Sequence, residues 1–295
     1  FQQQHLAEAE ILARKIISEF PNHPFGWKVL SALLGQANSM DEALITNQKA
    51  VALSPDDPEA LINLGITQNK LELFDEAEIS YKSAIKLKFN HPDAHNNLGI
   101  TLHNKGKFSE AKESFLTAIK INPKNAEAYN NLAISQKELG LLEDAEESYR
   151  KAISIRPSYA EAHNNLGNTL AKLKRLKDAE SSYRLAIHHK PNLAEAHNNL
   201  GVSLQDQGQL ENASESFSTA ISLDSNYAEA HNNLGVIYKD MGRLHEAQSS
   251  FDRALMIKPD FAEAHSNLAG VLKTFGSFDE AEASFRQALS IKPDS

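Results

Sequence analysis

A period of 34 residues governs this chain of 295. Counted from Pro24, the sequence divides into eight blocks, 24–57, 58–91, 92–125, 126–159, 160–193, 194–227, 228–261 and 262–295, with no insertion or deletion between them. Residues 1–23 read as the second half of an earlier block, because Ala9 and Pro21 fall in phase with it. A phase kept over this length specifies a stack of like supersecondary units, each burying its hydrophobic face against the next, so the chain needs no single large core.

Within a block, places 4, 7, 8 and 11 fall on one side of a helix at 100° per residue. Place 7 is leucine in every block (Leu30, Leu64, Leu98, Leu132, Leu166, Leu200, Leu234, Leu268), the pattern of a knob buried between helices. Place 8 is always small, from Ser31 and Gly65 to Gly235 and Ala269, which lets a second helix approach closely. That second helix has alanine at place 20 and again at place 27, with an aromatic at place 24 in seven blocks, Tyr81 through Phe285.

The ends of the helices are also written. Gly106, Gly140, Gly208, Gly242 and Gly276 stand where the first helix must end in left-handed geometry. Ser158, Asn192, Asn226 and Asp260, each three residues before a glutamate, match or resemble capping boxes at the next helix start. Pro55, Pro123, Pro157, Pro191, Pro259 and Pro293 stop the second helix; Phe89 and Ser225 replace proline in two blocks, where some fraying is expected.

The small place 8, the alanines at 20 and 27, and proline at 32 of a 34-residue unit resemble the tetratricopeptide repeat family along the whole chain. The resemblance implies an all-α fold, a right-handed superhelical solenoid of antiparallel helix hairpins. A narrower likeness lies in Ala-Glu-Ala-His-Asn-Asn-Leu-Gly at 160–167, 194–201 and 228–235, which is similar to the repeat arm of O-GlcNAc transferases. In that subfamily an asparagine at place 6 lines the inner groove and grips the backbone of an extended peptide. The matching residues are Asn63, Asn97, Asn131, Asn165, Asn199, Asn233 and Asn267, and block one departs with Val29.

Helical geometry points the same way, since places 2, 5, 6, 9, 12 and 13 project away from the core residues of the first helix. An amide offers both donors and an acceptor, so a regular row of them can satisfy a peptide backbone whatever its side chains. Place 5 adds Asn96, Asn130, Asn164, Asn198 and Asn232 to the expected peptide-binding row. Asparagine is a poor interior helix former, so its recurrence beside an invariant leucine carries a repeated cost that peptide binding would justify. Place 2 is acidic in seven blocks (Glu59, Asp93, Glu127, Glu161, Glu195, Glu229, Glu263), which equally suits a helix N-terminus. Place 9 is mostly aliphatic, as at Ile66, Ile100, Ile134, Val202 and Val236. Tetratricopeptide modules that clamp chaperone carboxylates carry basic residues at places 2, 5 and 6; here Lys28 is alone, so that partner class is disfavoured.

Other function classes are poorly served. There is no cysteine, hence no disulfide, thiolate nucleophile or cysteine-ligated metal, and a net charge of −9 without a basic stripe disfavours nucleic acid. No apolar run nears the roughly 20 residues that cross a bilayer, so no membrane is expected. Five place-4 histidines (His95, His163, His197, His231, His265) lie one repeat apart, about 10 Å between packed helices, whereas zinc ligands sit about 2 Å from their ion. They are read as substitutes for the aromatic seen at Trp27 and Tyr129, and His188-His189 as a surface pair at a helix end. No phosphate loop or catalytic constellation is present, so neither enzyme activity nor a cofactor is expected in these residues. Asn212-Ala213-Ser214 is a lone sequon of the kind chance supplies.

The expected function is thus a non-catalytic scaffold for an extended protein segment. One rival is the substrate-recruiting arm of a larger transferase, because the chain starts inside a repeat without an initiator methionine and reads as a processed product or a piece of something longer. A second is a self-assembling solenoid, in which apolar end residues such as Phe285, Ala288 and Leu289 stack copies head to tail into filaments. Compartment is left open by the composition.

Overall fold

The computed structural model describes residues 2–293, with side chains from His5 onward. Phe1, in the incomplete opening segment, and Asp294 and Ser295, at the end of the closing block, lie outside the described residues. Every regular element among the described residues is an α-helix. The chain divides into two compact units, Phe1–Ile155 and Arg156–Ser295.

The first unit contains α1 (Gln2–Glu19), α2 (Pro24–Gln36), α3 (Met40–Leu53), α4 (Pro58–Lys70), α5 (Phe74–Leu87), α6 (Pro92–Asn104), α7 (Phe108–Ile121), α8 (Ala126–Glu138) and α9 (Leu142–Ile155). The second contains α10 (Ala160–Lys172), α11 (Leu176–His189), α12 (Ala194–Asp206), α13 (Leu210–Leu223), α14 (Ala228–Asp240), α15 (Leu244–Ile257), α16 (Ala262–Phe275) and α17 (Phe278–Ile291). Each even-numbered helix pairs most closely with the odd-numbered helix that follows it, and within each unit each such hairpin stacks on the next. The even helices also approach one another directly, α2 to α4 to α6 to α8 in one unit and α10 to α12 to α14 to α16 in the other. No two odd helices come as close among the described residues. Within each unit, therefore, the even helices line the inside of the stack and the odd helices the outside.

The packing residues sit where the period puts them. All eight place-7 leucines are buried, and the place-20 alanines from Ala43 to Ala247 are fully inaccessible. Where place 8 is glycine, the aromatic opposite occupies the space that a side chain would take, whereas Ala133 is accommodated opposite Tyr149. A β-carbon added to Gly201 would stand 2.6 Å from Phe217 Cε1, and one added to Gly99 2.5 Å from the Phe115 ring. Each of these rings thus packs directly against the glycine of its partner helix and is buried from water, a gain of about 1.5–3 kcal/mol per ring.

The five turn glycines adopt φ between 72° and 81°. Asn38, Glu72 and Lys174 hold the same left-handed conformation without glycine, so the stack imposes this turn even where the local residue resists it.

Three boundary expectations need correction. Helices α10, α12, α14 and α16 are preceded by Tyr159, Leu193, Tyr227 and Phe261 as N-caps, with no side-chain cap hydrogen bond. Ser158, Asn192, Asn226 and Asp260 stand one residue too early to cap; Asp57 and Asn125, in the true cap position, do accept from the first turns of α4 and α8. Helices α5 and α13 do not fray for want of proline, ending at Leu87 and Leu223, the same place as their proline-bearing counterparts. Ala288 is buried, leaving Phe285 and Leu289 as the exposed residues of that face.

Candidate functional site

The inner helices separate the two asparagine positions. Place 6 (Asn63, Asn97, Asn131, Asn165, Asn199, Asn233, Asn267) is half-buried on the groove side. Place 5 (Asn96, Asn130, Asn164, Asn198, Asn232) is buried, at 1–7% exposure, between one inner helix and the next. The place-5 residues, expected in the peptide-binding row, are thus covered by the neighbouring inner helix rather than open at the groove.

The two positions interlock. Asn131 Nδ2 donates to Asn96 Oδ1 at 3.3 Å in the first unit. In the second, Asn199 donates to Asn164 at 3.0 Å, Asn233 to Asn198 at 3.1 Å and Asn267 to Asn232 at 3.0 Å. Every link runs from place 6 of one repeat to place 5 of the repeat before it. Asn63 and Asn97 have no such partner, because place 5 of the preceding repeat is Lys28 and Ile62. A buried amide oxygen left alone would cost about 1–3 kcal/mol, so the place-6 donor satisfies it and is itself held in one orientation. The Oδ1 atoms of Asn199, Asn233 and Asn267 accept nothing from the described residues, which leaves acceptors along the groove.

The place-4 histidines have a common role that the period alone did not disclose. His95 Nε2 lies 2.9 Å from Phe89 O, His163 2.9 Å from Pro157 O, His197 2.9 Å from Pro191 O, His231 3.2 Å from Ser225 O and His265 2.9 Å from Pro259 O. A carbonyl only accepts, so each ring is the Nε2–H tautomer and staples its helix to the end of the preceding hairpin. Trp27 Nε1 makes the same bond to Pro21 O at 2.9 Å; ring N–H donors recurring at one place were the available signal. Burial pushes the His163 and His231 imidazoles below their ordinary pKa, and His163 also stacks on His189 at 5.5 Å. Among the described residues no group of three or more histidine or acidic side chains is arranged to hold a metal ion, and no helix is long and apolar enough to cross a membrane.

One edge of the groove is formed by the exposed place-2 carboxylates. In the second unit Glu161 pairs with Lys190 at 2.7 Å and Glu229 with Lys258 at 3.2 Å, and Glu195 accepts from Asn164 at 3.0 Å. The Lys190 hydrogen bond holds Glu161 below the usual carboxylate range. In the first unit a recess of about 470 Å³ opens beside Glu59, Asp93 and Glu127, floored by Ile62 and Ile66 and flanked by Asn63 and Asn97. Ile66, Ile100, Ile134 and Val236 are half-buried at place 9 and Val202 is more open, a discontinuous apolar track beside the amides.

Family models agree with this architecture. Two described as tetratricopeptide repeat match residues 226–294 in one case, and 58–91 and 160–192 in the other; a third, described as TPR repeat, matches 101–140, 137–174 and 203–242. No curated protein matches the sequence. Among solved structures, the chain is similar to that reported for pilF of Pseudomonas aeruginosa, at 23% identity and a TM-score of 0.63, covering 69% of this chain and 93% of that one. It is similar to a chain of the Cut9-Hcn1 hetero-tetramer of APC/C at 16% identity and a TM-score of 0.70, covering 90% of this chain and 52% of that one. These two likenesses concern the fold. YrrB, described as a TPR protein with an unusual peptide-binding site, is 27% identical with a TM-score of 0.51, covering 62% of this chain and 94% of that one.

Proposed function

Since the chain belongs to the tetratricopeptide repeat family, we propose that it is a non-catalytic scaffold holding an extended peptide on the asparagine-lined side of its inner helices. The observation that carries this reading is the interlocked amide row. Asn131, Asn199, Asn233 and Asn267 are each oriented by a bond to the repeat before. A peptide backbone repeats its donors and acceptors whatever its sequence, so a periodic row of fixed amides suits it better than it suits a folded surface. The place-5 asparagines then act as positioning residues and the place-6 asparagines as the contacts. The likeness of the Asn-Asn-Leu-Gly phrase to the repeat arm of O-GlcNAc transferases supports the same division, whether the array stands alone or recruits substrates for a catalytic domain. YrrB, as a repeat protein with a peptide-binding site, is a precedent for the activity.

The blocks 24–57 through 262–295, preceded by the partial segment 1–23, are proposed as the functional units, one groove amide each from the second block onward. The test is to replace Asn131, Asn165, Asn199 and Asn233 by alanine together and measure capture of extended peptides. Each lost hydrogen bond is worth about 0.5–1.5 kcal/mol, so binding should weaken by roughly tenfold or more. Unchanged capture at unchanged helicity would end the groove reading.

A further inference from the structure

We propose that a recess between α2 and α4 receives a tyrosine side chain of the bound peptide, whose hydroxyl donates to Asn47 Oδ1. This rests on the groove reading and specifies one residue of the ligand. The recess, of about 420 Å³, opens where two side chains that occupy other repeats are replaced by smaller ones. Place 24 is aromatic in the seven later blocks and is Asn47 here. Place 12 reaches across to the next inner helix at Asn69, which accepts from Thr101 at 3.3 Å, and at His103, 3.0 Å from Ser135 Oγ. In the first block place 12 is Gly35, and a β-carbon added there would meet nothing within 4 Å. The gap between α2 and α4 thus has no side chain crossing it from place 12, whereas those between α4 and α6 and between α6 and α8 each have one.

The lining selects the occupant. Asn47 is buried, its Nδ2 donates to Thr67 Oγ1 at 2.9 Å and to Asn63 O at 3.4 Å, and its Oδ1 has no partner among the described residues. An amide oxygen only accepts, so the partner it lacks is a donor. Lys70 is the one charged side chain on the lining and no carboxylate accompanies it, which opposes lysine and arginine and favours a neutral donor. Ala32, Met40 and Ile66 provide apolar walls, and both a methionine sulfur and an ammonium are favourable neighbours of an aromatic ring. A phenol meets all these demands. The chain already uses the same pair, since the Tyr183 hydroxyl donates to Asn168 Oδ1 at 2.8 Å. There the ring comes from place 24; in the first block place 24 supplies the amide instead, and the ring comes from the ligand. Asn63 also lines the recess, and its side chain, not engaged by an asparagine of the block before, is placed to hold the peptide backbone beside the tyrosine.

The experiment uses the full chain and fluorescent 12-residue peptides of serine, glycine and threonine that carry tyrosine, phenylalanine or serine at one central position. Anisotropy should show the tyrosine peptide binding about fivefold tighter than the phenylalanine peptide, the scale of one hydrogen bond, with the serine peptide weakest. In Asn47→Leu, which keeps the bulk of the side chain and loses its oxygen, the tyrosine and phenylalanine peptides should bind alike. In Gly35→Gln, whose new side chain enters open space and obstructs the recess, both should fall to the level of the serine peptide, itself unaffected. Tyrosine and phenylalanine peptides that bind the wild type alike, or a tyrosine preference that either variant retains at unchanged helicity, overturn the tyrosine proposal, and binding of the serine peptide then leaves the groove standing. Binding of none of the three overturns both.

Discussion

Tyr149 and Tyr183 occupy the same place in successive blocks and differ in one respect. Tyr183 donates its hydroxyl to Asn168 Oδ1 at 2.8 Å, whereas the buried Tyr149 hydroxyl has no partner. The difference comes from place 9, which is Asn168 in one block and Ile134 in the other. Removing an unsatisfied buried hydroxyl relieves a desolvation cost, and removing a satisfied one strands its acceptor. Tyr149→Phe should therefore raise unfolding stability by about 1 kcal/mol and Tyr183→Phe lower it by a similar amount, as read from urea denaturation midpoints. The aromatic itself was legible as a core residue from its spacing. Its hydroxyl's fate was not, because that depends on a residue 15 positions away whose identity varies between blocks. The asparagines pose the same problem more sharply: Asn198 and Asn199 are chemically identical neighbours, and only the packing of one inner helix on the next buries the first and leaves the second at the groove.

At the level of the helix, termination was readable wherever it depends on backbone conformation, as at the left-handed glycines, and misread where it depends on register. Asn192 precedes Glu195 by the spacing of a capping box, yet the helix starts a residue later because the stack sets Ala194 as its first residue. The histidine staples belong to this scale too, since each fastens an inner helix to the end of the hairpin before it. Burial lowers the pKa of His103, His163 and His231. A histidine depressed in the folded state takes up protons more readily when unfolded, so its contribution is complete above its ordinary pKa of about 6.5 and is lost as pH falls below that value. The depressed carboxylates act lower: Glu78, bonded to Lys105 and Lys82, is held at about 2, and its stabilisation is lost only as pH falls below the usual glutamate range. The thermal midpoint should consequently decline between pH 7 and pH 5, and His163→Phe, which retains a ring at that place but removes its titration, should flatten the decline.

For the molecule as a whole, the 34-residue period disclosed the fold class because a stack of identical units repeats its packing constraints in sequence. Partner and assembly are less visible, since they depend on surfaces that packing does not constrain. The outward side of α17 keeps Phe278 at 67%, Phe285 at 39% and Leu289 at 50% exposure, where the corresponding aromatics of the earlier hairpins, such as Phe217 and Phe251, are covered. If copies stack through this face, sedimentation of the wild type should depend on concentration and a Phe285→Glu, Leu289→Glu variant should sediment as a monomer at every concentration. A concentration-independent wild type would exclude such association. The amide links carry a different consequence. Because each runs from a later repeat to an earlier one, the row is a one-way street: turning a bound strand end for end would oppose its carbonyls and N–H groups to the wrong partners. If an extended strand binds there, as proposed, such a surface would distinguish a sequence from its reversal without reading a single side chain.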